Sequence, residues 1–508
     1  MARDGALDPM TLLPPGCSDP QTCDYIRILC ARLRRDERKQ IKNKFKKIKR
    51  LGEPLGVSTA CTGTGICEKV AQAIVQHLED GDETPIYICN KFAVDNSPIV
   101  QQWLKLHFPK TPCFIEVDEI QHAWAEIAGP DGETRRWQVP DTDWLVAGFS
   151  CKDFSSVNSK AKHFKDAVAR AAREYEDPFA GGNDEVEESQ SARTVIALIK
   201  FLETKRPALL LLENVPNFDS KDSTNFITFR RIVNGLGYSC TIHMVNALDY
   251  LLPQNRKRLY MVVEDRDLPG ALPQDDLQRA IDSTLDDLIV GHLPLEMFLG
   301  RPELDFDRPK KRATKQREDV KWKQAHKTIF EAHGMEWREP PHAELMALSP
   351  DYATLADRER SEADFYHNLP VPEDKVRSLV DLSQSLVRDP ADVMGSRVLP
   401  TLRPRALLWD RVTMALLPIA CTMRAQGLHP SEWPFAKRFS PSQLKNFVGN
   451  AFASTSIMAV LLACLVHCRL PRRYDLEMDT ALEDELVQLQ ATNALLRSQV
   501  DDALDDAG

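Results

Sequence analysis

Cys151 lies in "DTDWLVAGFSCKDFSSVN", residues 141–158, where an apolar run gives way to a small polar turn. A thiol so placed is a small core hydrophobe, a metal ligand or a nucleophile, and the first is the commonest case. Its partners elsewhere in the chain decide among them. "LLLLENVPNF" puts Glu213 and Asn214 straight after four leucines. A carboxylate at the rim of a buried strand has its pKa raised by desolvation and can give or take a proton. "LDYLLPQNRKRLYMV" sets Gln254, Arg256 and Arg258 in alternation before another apolar run. Alternate residues of an extended segment point to one side, so two guanidinium groups are expected to face one cleft.

A second group of residues reads as a binding site. "CTGTGICE" places Gly63, Thr64 and Gly65 where a strand must turn into a helix with its backbone close to something. Asp95 follows the next apolar run and Asp118 the one after it. Carboxylates at such strand ends accept hydrogen bonds from a ribose. Each acid alone is more simply a helix cap or a surface charge. Together with the glycine turn they suggest a nucleoside-bearing cofactor.

These residues need a sheet to gather them. Residues 86–263 alternate short apolar runs (86–94, 112–117, 143–149, 208–214, 239–247, 258–263) with amphipathic helices such as 193–205. The alternation predicts an α/β fold with a mostly parallel sheet, in which ligands sit at the carboxyl ends of strands. Cys151 follows such an end.

With 43% hydrophobic and 28% charged residues, the composition is that of a globular protein. The twelve cysteines are scattered, without a C-x-x-C pair, so neither a structural metal nor a disulfide framework is expected. No basic start followed by an apolar stretch marks the amino terminus, and the longest apolar run near the carboxyl end, 457–466, is too short for a bilayer. It reads as a buried helix, and no membrane is expected. The formal charge of −10 is unevenly placed. Residues 32–50, "RLRRDERKQIKNKFKKIKR", carry eleven basic residues against two acidic ones, with Ile41, Phe45 and Ile48 at helical spacing. That is a basic amphipathic helix, either docked on its own domain by its apolar stripe or facing phosphate.

The order A-G-F-S-C-K-D-F-S, L-E-N-V, P-Q-N-R-K-R and V-G-N-A resembles the cytosine-5 DNA methyltransferases, over roughly residues 55–263 and 420–465. The resemblance implies a Rossmann-like S-adenosylmethionine-dependent methyltransferase fold with an inserted target-recognition lobe. It divides the chain into a basic amino-terminal extension (1–54), a catalytic domain in two parts (55–267 and 417–473), the recognition lobe (268–416) and an acidic coiled-coil-like tail (474–508). It gives Cys151 the attack on C6 of a flipped cytosine in double-stranded DNA, and Glu213 the base edge and the proton. Asn214 would brace the cysteine loop, Arg258 would bind the cytosine O2 and Arg256 would support its loop. Gly63, Thr64 and Gly65 would approach S-adenosyl-L-methionine, Asp95 its ribose and Asp118 its adenine, with Gly449 and Asn450 closing the pocket. The chain departs from the family pattern at Ser150 (usually proline), Lys152 (usually glutamine), Cys61 and Thr62 (where an aromatic residue is usual) and Ile66 (a second paired glycine). Residues 155–190 form the expected loop over DNA, basic at Lys160, Lys162, Lys165 and Arg170, and 308–327 is the expected phosphate contact of the lobe. A tRNA cytosine-5 methyltransferase and an inactive DNA-binding scaffold share these features. The expected location is the nucleus in a eukaryote and the cytoplasm otherwise.

In the tail, Leu482, Leu486, Leu489, Asn493, Leu496 and Val500 succeed one another at alternating steps of four and three, the seam of a coiled coil. A lone asparagine in that seam favours a two-stranded parallel pairing, so residues 482–504 are expected to mediate a homodimer or to bind another coiled-coil protein. Light scattering is expected to show a dimer that becomes a monomer when Leu489 and Leu496 are both changed to Asp.

Overall fold

The computed structural model describes residues 8–78, 88–129, 133–149, 190–219, 225–299, 320–340, 345, 349–369, 379–384, 386, 398–474 and 492. Its frame is a nine-stranded sheet of β1 (Leu55–Ala60), β2 (Ile88–Val94), β3 (Cys113–Phe114), β4 (Trp124–Ala128), β5 (Thr134–Gln138), β6 (Trp144–Gly148), β7 (Leu209–Asn214), β8 (Tyr238–Asn246) and β9 (Lys257–Asp265). The strand order is β5-β4-β3-β2-β1-β6-β7-β9-β8. Among the neighbouring pairs, β3-β2, β2-β1, β1-β6 and β6-β7 are parallel, whereas β5-β4, β4-β3, β7-β9 and β9-β8 are antiparallel. The sheet is therefore mixed rather than mostly parallel. The central pairs follow crossover helices, while each flank ends in antiparallel strands joined by shorter connections.

Alternation along the strands sends side chains to two cores. Leu209, Leu211, Tyr260 and Val262 join one face, and Leu210, Leu212, Leu259 and Met261 the other. The first face is covered by α1 (Thr22–Arg32), α2 (Arg35–Leu51), α3 (Ile66–Leu78) and α4 (Pro98–His107), together with two later helices, Gln274–Asp287 and Ser454–His467. The second packs against α5 (Gln190–Lys205) and α6 (Asn225–Gly235). In helix Ser454–His467 every residue from Ser454 to Val466 is buried, so the apolar run at 457–466 is a core helix.

The amino-terminal segment is no free extension. Tyr25, Ile26 and Leu29 of α1, and Ile41, Phe45 and Ile48 of α2, lie in the first core, which fulfils the docking alternative for the basic helix. Glu37 caps α2 by accepting the Arg34 N–H at 2.7 Å, and Gly52 closes it at φ 72°, a left-handed conformation that glycine takes without strain. Lys44 lies across the carboxyl end of helix Ser454–His467, where its Nζ donates to the carbonyls of Leu465 (2.6 Å), Val466 (3.0 Å) and Cys468. Carbonyls at a helix carboxyl end carry partial negative charge and suit a cation. Burial nonetheless pulls the Lys44 ammonium down to about 8.

Within the expected recognition lobe, helices Val320–Ala332 and Asp357–Asn368 pack on a three-stranded antiparallel sheet, Leu379–Asp381, Leu408–Asp410 and Ala415–Leu416. Phe330, Tyr352, Phe365 and Trp409 form this third core. The buried Ser361 hydroxyl meets His326 Nδ1 at 2.9 Å and accepts the Trp337 indole N–H at 3.2 Å. Of the basic run 308–327, residues 308–319 lie outside the described residues. Within the remainder, Lys323 pairs with Glu339, and Lys327 lies 3.9 Å from Glu331.

Because Phe45 is buried and Lys46 exposed, Phe45→Ala is expected to lower stability by about 3–5 kcal/mol and Lys46→Ala by less than about 0.5 kcal/mol in urea denaturation.

Candidate active site

The carboxyl ends of β1, β6 and β7 bring the sequence motifs to one place. Strand β1 runs into Cys61 at φ 55°, then Gly63 at φ 75° and Gly65 at φ 73°. A Cβ on Gly65 would lie 2.4 Å from Phe108 Cε2, so this position needs glycine for space as well as for backbone angle. Trp103 holds the turn by donating its indole N–H to the Thr64 carbonyl at 2.9 Å, and itself packs against Trp433 and Phe447, with ring centroids 5.4 and 4.8 Å away. Among the described residues, the buried Thr64 Oγ1 and Glu68 Oε2 have no hydrogen-bond partner. The other Glu68 oxygen accepts the Thr59 hydroxyl.

Asp95 follows β2 and is 9% exposed. Its Oδ1 accepts the Ser97 N–H at 2.9 Å, which starts α4. Burial pushes its carboxyl group up to about 6, against a partly compensating bond from Ser97. Asp118 is an exposed residue four positions beyond the end of β3, and its backbone carbonyl accepts the Gln121 amide at 2.7 Å. Strand β3 is two residues long, shorter than the apolar run 112–117 suggests, so Asp118 does not stand at a strand end as Asp95 does.

Cys151 and the loop after it, 150–189, lie outside the described residues. The chain leading to Cys151 is well fixed. Asn214, 1% exposed, donates its Nδ2 to the Phe149 carbonyl at 3.2 Å, two residues before the cysteine, and accepts the Val215 N–H at 2.7 Å. Gly148, Glu213 and Tyr260 are register partners across β6, β7 and β9. The Glu213 carboxylate therefore shares one face with the Gly148 position and with Tyr260. It pairs with Arg258, whose Nε stands 2.9 Å from Glu213 Oε1.

Among the described residues, Arg256 and Arg258 are held by different groups. Strand β9 begins at Lys257, so the alternation expected to aim both at one cleft starts only after Arg256. Arg256 is 3% exposed and donates to the carbonyls of Leu402 (2.9 Å) and Ala451 (2.8 Å). Beside it, Gln254 Nε2 donates to Gln426 Oε1 at 3.1 Å, and Gln426 Nε2 to Ala451 O at 2.8 Å. The V-G-N-A segment completes the enclosure. A Cβ on Gly449 would lie 2.1 Å from Pro404 N, and one on Gly63 would lie 3.7 Å from Asn450 O. A Cβ on Gly148 would lie 2.8 Å from Phe452 Cε1 and 3.1 Å from Cys61 O. Asn450 Nδ2 donates to Asn446 Oδ1 at 3.2 Å.

Sequence reasoning did not identify Gln426, Phe452, Trp103 or the Thr59–Glu68 pair. The only local signal for Phe452 is its place two residues after Asn450, and Gln426 stands outside every motif.

A mixed α/β sheet with a glycine turn, a buried acid after β2 and a carboxylate–guanidinium pair at the mouth of the next strands has the layout of a nucleoside-cofactor enzyme. Residues 179–378 match the family model for C-5 cytosine-specific DNA methylases. It is 33% identical over 138 residues to the Type II methyltransferase M.HhaI of Haemophilus parahaemolyticus, covering 26% of this chain and 33% of that protein. It is 37% identical over 162 residues to M.MthTI of Methanothermobacter thermautotrophicus, covering 31% of this chain and 40% of the relative. The DNA (cytosine-5-)-methyltransferase DMT5 of Cryptococcus neoformans var. grubii is 23% identical over 253 residues, 49% of this chain and 9% of that one. These matches thus span well under half of each relative. Among solved structures, the S. pombe Dnmt2 methyltransferase aligns with 82% of this chain and 98% of its own at 13% identity and a TM-score of 0.41.

A carboxyl group titrating at about 6 when folded, against 3.8 ordinarily, costs stability when ionised. Above pH 6 the folded state carries this cost; below about pH 3.8 both states are protonated and the cost is gone. Asp95→Asn is therefore expected to raise the Tm of the cofactor-free protein at pH 8, by about 1–3 kcal/mol in stability, with the gain shrinking as pH falls from 6 to 4 in calorimetry.

Proposed function

We propose that this protein methylates C5 of cytosine in DNA, through a covalent adduct between Cys151 and C6 of a base turned out of the duplex. The observation that carries the reading is the convergence at the carboxyl end of the sheet: Asn214 on the Phe149 carbonyl, two residues before Cys151, beside the Glu213–Arg258 pair. These residues come from three separate motifs, and they meet where the family's chemistry needs them.

The turn at Gly63–Gly65 fits S-adenosyl-L-methionine. Its backbone turns through two left-handed glycines, Thr64 Oγ1 is buried without a partner among the described residues, and the Asp95 carboxyl group is kept buried at a cost. Thr64 and Asp95 would hold the group, with the Asn450 backbone against Gly63. When bound, it supplies an electrophilic methyl group. Asp118, exposed beyond β3, is less enclosed than Asp95.

The chain's own residues then divide the work. The thiolate of Cys151 forms a bond to C6, and the electron pair displaced from the C5–C6 double bond makes C5 nucleophilic. Lys152, next in sequence, favours the thiolate. Glu213 holds a proton at the N3 edge and so limits the negative charge that builds in the ring. Arg258 holds that carboxyl group in place and would bind the cytosine O2. After methyl transfer the C5 proton leaves to a base, the electron pair restores the double bond, and the Cys151 sulfur departs. Turning the base out costs roughly a few kcal/mol, to be met by contacts from the lobe and from the basic front of the loop after Cys151.

Transfer of labelled methyl groups to duplex DNA and to tRNA, measured side by side, tests the reading. Activity on DNA that Cys151→Ser abolishes, and that Glu213→Gln lowers by about two orders of magnitude or more, is expected. Preferential labelling of tRNA would move the substrate to RNA, and full activity of Cys151→Ser would remove the thiol from the mechanism.

A further inference from the structure

The basic helix lies at the wrong end of the molecule to serve a duplex held at the site. The site stands at the amino end of helix Ser454–His467, where Phe452 meets Gly148. Helix α2 crosses the opposite end: Lys44 caps that helix at Leu465 and Val466, and Glu37 shares the Thr284 hydroxyl with His467. Fourteen helical residues separate the two ends, about 21 Å. On the outward side of α2, Arg35, Lys39, Lys42, Lys46 and Lys49 succeed one another at steps of four, three, four and three, so they form one row, and all are exposed.

The chain itself carries a matching segment beside that row. Residues 473 and 474 are pinned at the carboxyl end of α2: Arg473 makes a two-pronged pair with Asp143, and the Tyr474 hydroxyl donates to the Glu53 carbonyl at 3.2 Å. The sequence continues from that point as "DLEMDTALEDE", residues 475–485, with six carboxylates and no basic residue. Eleven residues reach about 36 Å when extended, and the seventeen-residue α2 is about 25 Å long, so the segment can cover the row. Tethering at Tyr474 sets an effective concentration on the order of millimolar, enough for a purely ionic contact to form. The stripe Ile41, Phe45 and Ile48 is already buried in the core. The outward surface of α2 therefore offers mainly positive charge, and the segment after Tyr474 carries charge of the opposite sign.

We infer that residues 475–485 dock on the exposed basic row of α2 within the same chain, occupying the place of a polyanion and keeping this surface from binding nucleic acid away from the reaction site.

Two measurements on the full-length chain test this. Zero-length carbodiimide cross-linking of a mixture of isotope-labelled and unlabelled protein is expected to join carboxylates of 475–485 to Lys39, Lys42, Lys46 or Lys49, with both peptides from one isotope pool. Cross-links of mixed isotope content, or none to α2, would overturn the docking within one chain. Binding of a random-sequence duplex is expected to tighten by about tenfold at low salt, with a steeper salt dependence, when the six tail acids are changed to Asn or Gln. That gain is expected to vanish in a background of Lys39→Gln, Lys42→Gln, Lys46→Gln and Lys49→Gln. A gain of equal size in that background would reduce the effect to net charge and sink the proposal, as would no gain in either.

Discussion

The burial of Arg256 is the constraint on which the site's geometry rests. A guanidinium group keeps its proton, so at 3% exposure it is tolerable only with acceptors supplied on several sides. Its acceptors are backbone carbonyls of Leu402 and Ala451, which come from the chain leaving the lobe and from the loop after the V-G-N segment. Gln254 and Gln426 reinforce the same junction by a side-chain relay that ends on Ala451. Residues 146 and 195 positions apart in sequence are thereby fixed against each other at the mouth of the sheet. With Arg256 committed to scaffolding, Arg258, the second residue of β9, is paired with Glu213.

Close approach is the second half of this arrangement, and it depends on side chains that are missing. At Gly148 the end of β6 lies against the Phe452 ring and the Cys61 carbonyl; at Gly449 the chain crosses the backbone of Arg403 and Pro404. Any Cβ at either position would meet atoms under 3 Å away, and at Gly449 those atoms are backbone, which cannot swing aside. The glycines of the motifs thus have separate reasons. Gly63 has room for a Cβ but a left-handed backbone, Gly449 has no room, and Gly65 meets both limits.

Much of the site was legible because its residues stand at ends of apolar runs, and such runs reveal strands whatever their neighbours. Glu213, Asn214, Asp95 and the glycine turn all lie where that logic puts them. Strand direction was less legible. A run such as 258–263 carries no mark of whether its neighbours run with it or against it, which is why a mostly parallel sheet was expected and a mixed one found. The hairpin of β4 and β5 escaped notice because β5 is exposed along its whole length, so it lacks the alternation that betrays a half-buried strand. Gln426 and Trp103 were invisible for another reason: their partners, Gln254 and Thr64, are 172 and 39 residues away.

The distribution of charge says where a phosphate backbone must find its partners. At the carboxyl end of the sheet two buried or half-buried cations are already engaged, Arg256 with carbonyls and Arg258 with Glu213. The basic row of α2 lies about a helix length away, at the other end. A protein of net charge −10 that takes a polyanion at this site must therefore concentrate positive charge close to it, since charges beyond a Debye length of about 8 Å are screened at physiological salt. The stretch directly after Cys151 has that composition, with Lys160, Lys162, Lys165 and Arg170 preceding its acidic half. On the proposed function, capture of a phosphate backbone and the Cys151 thiol would thus fall to one and the same stretch of sequence.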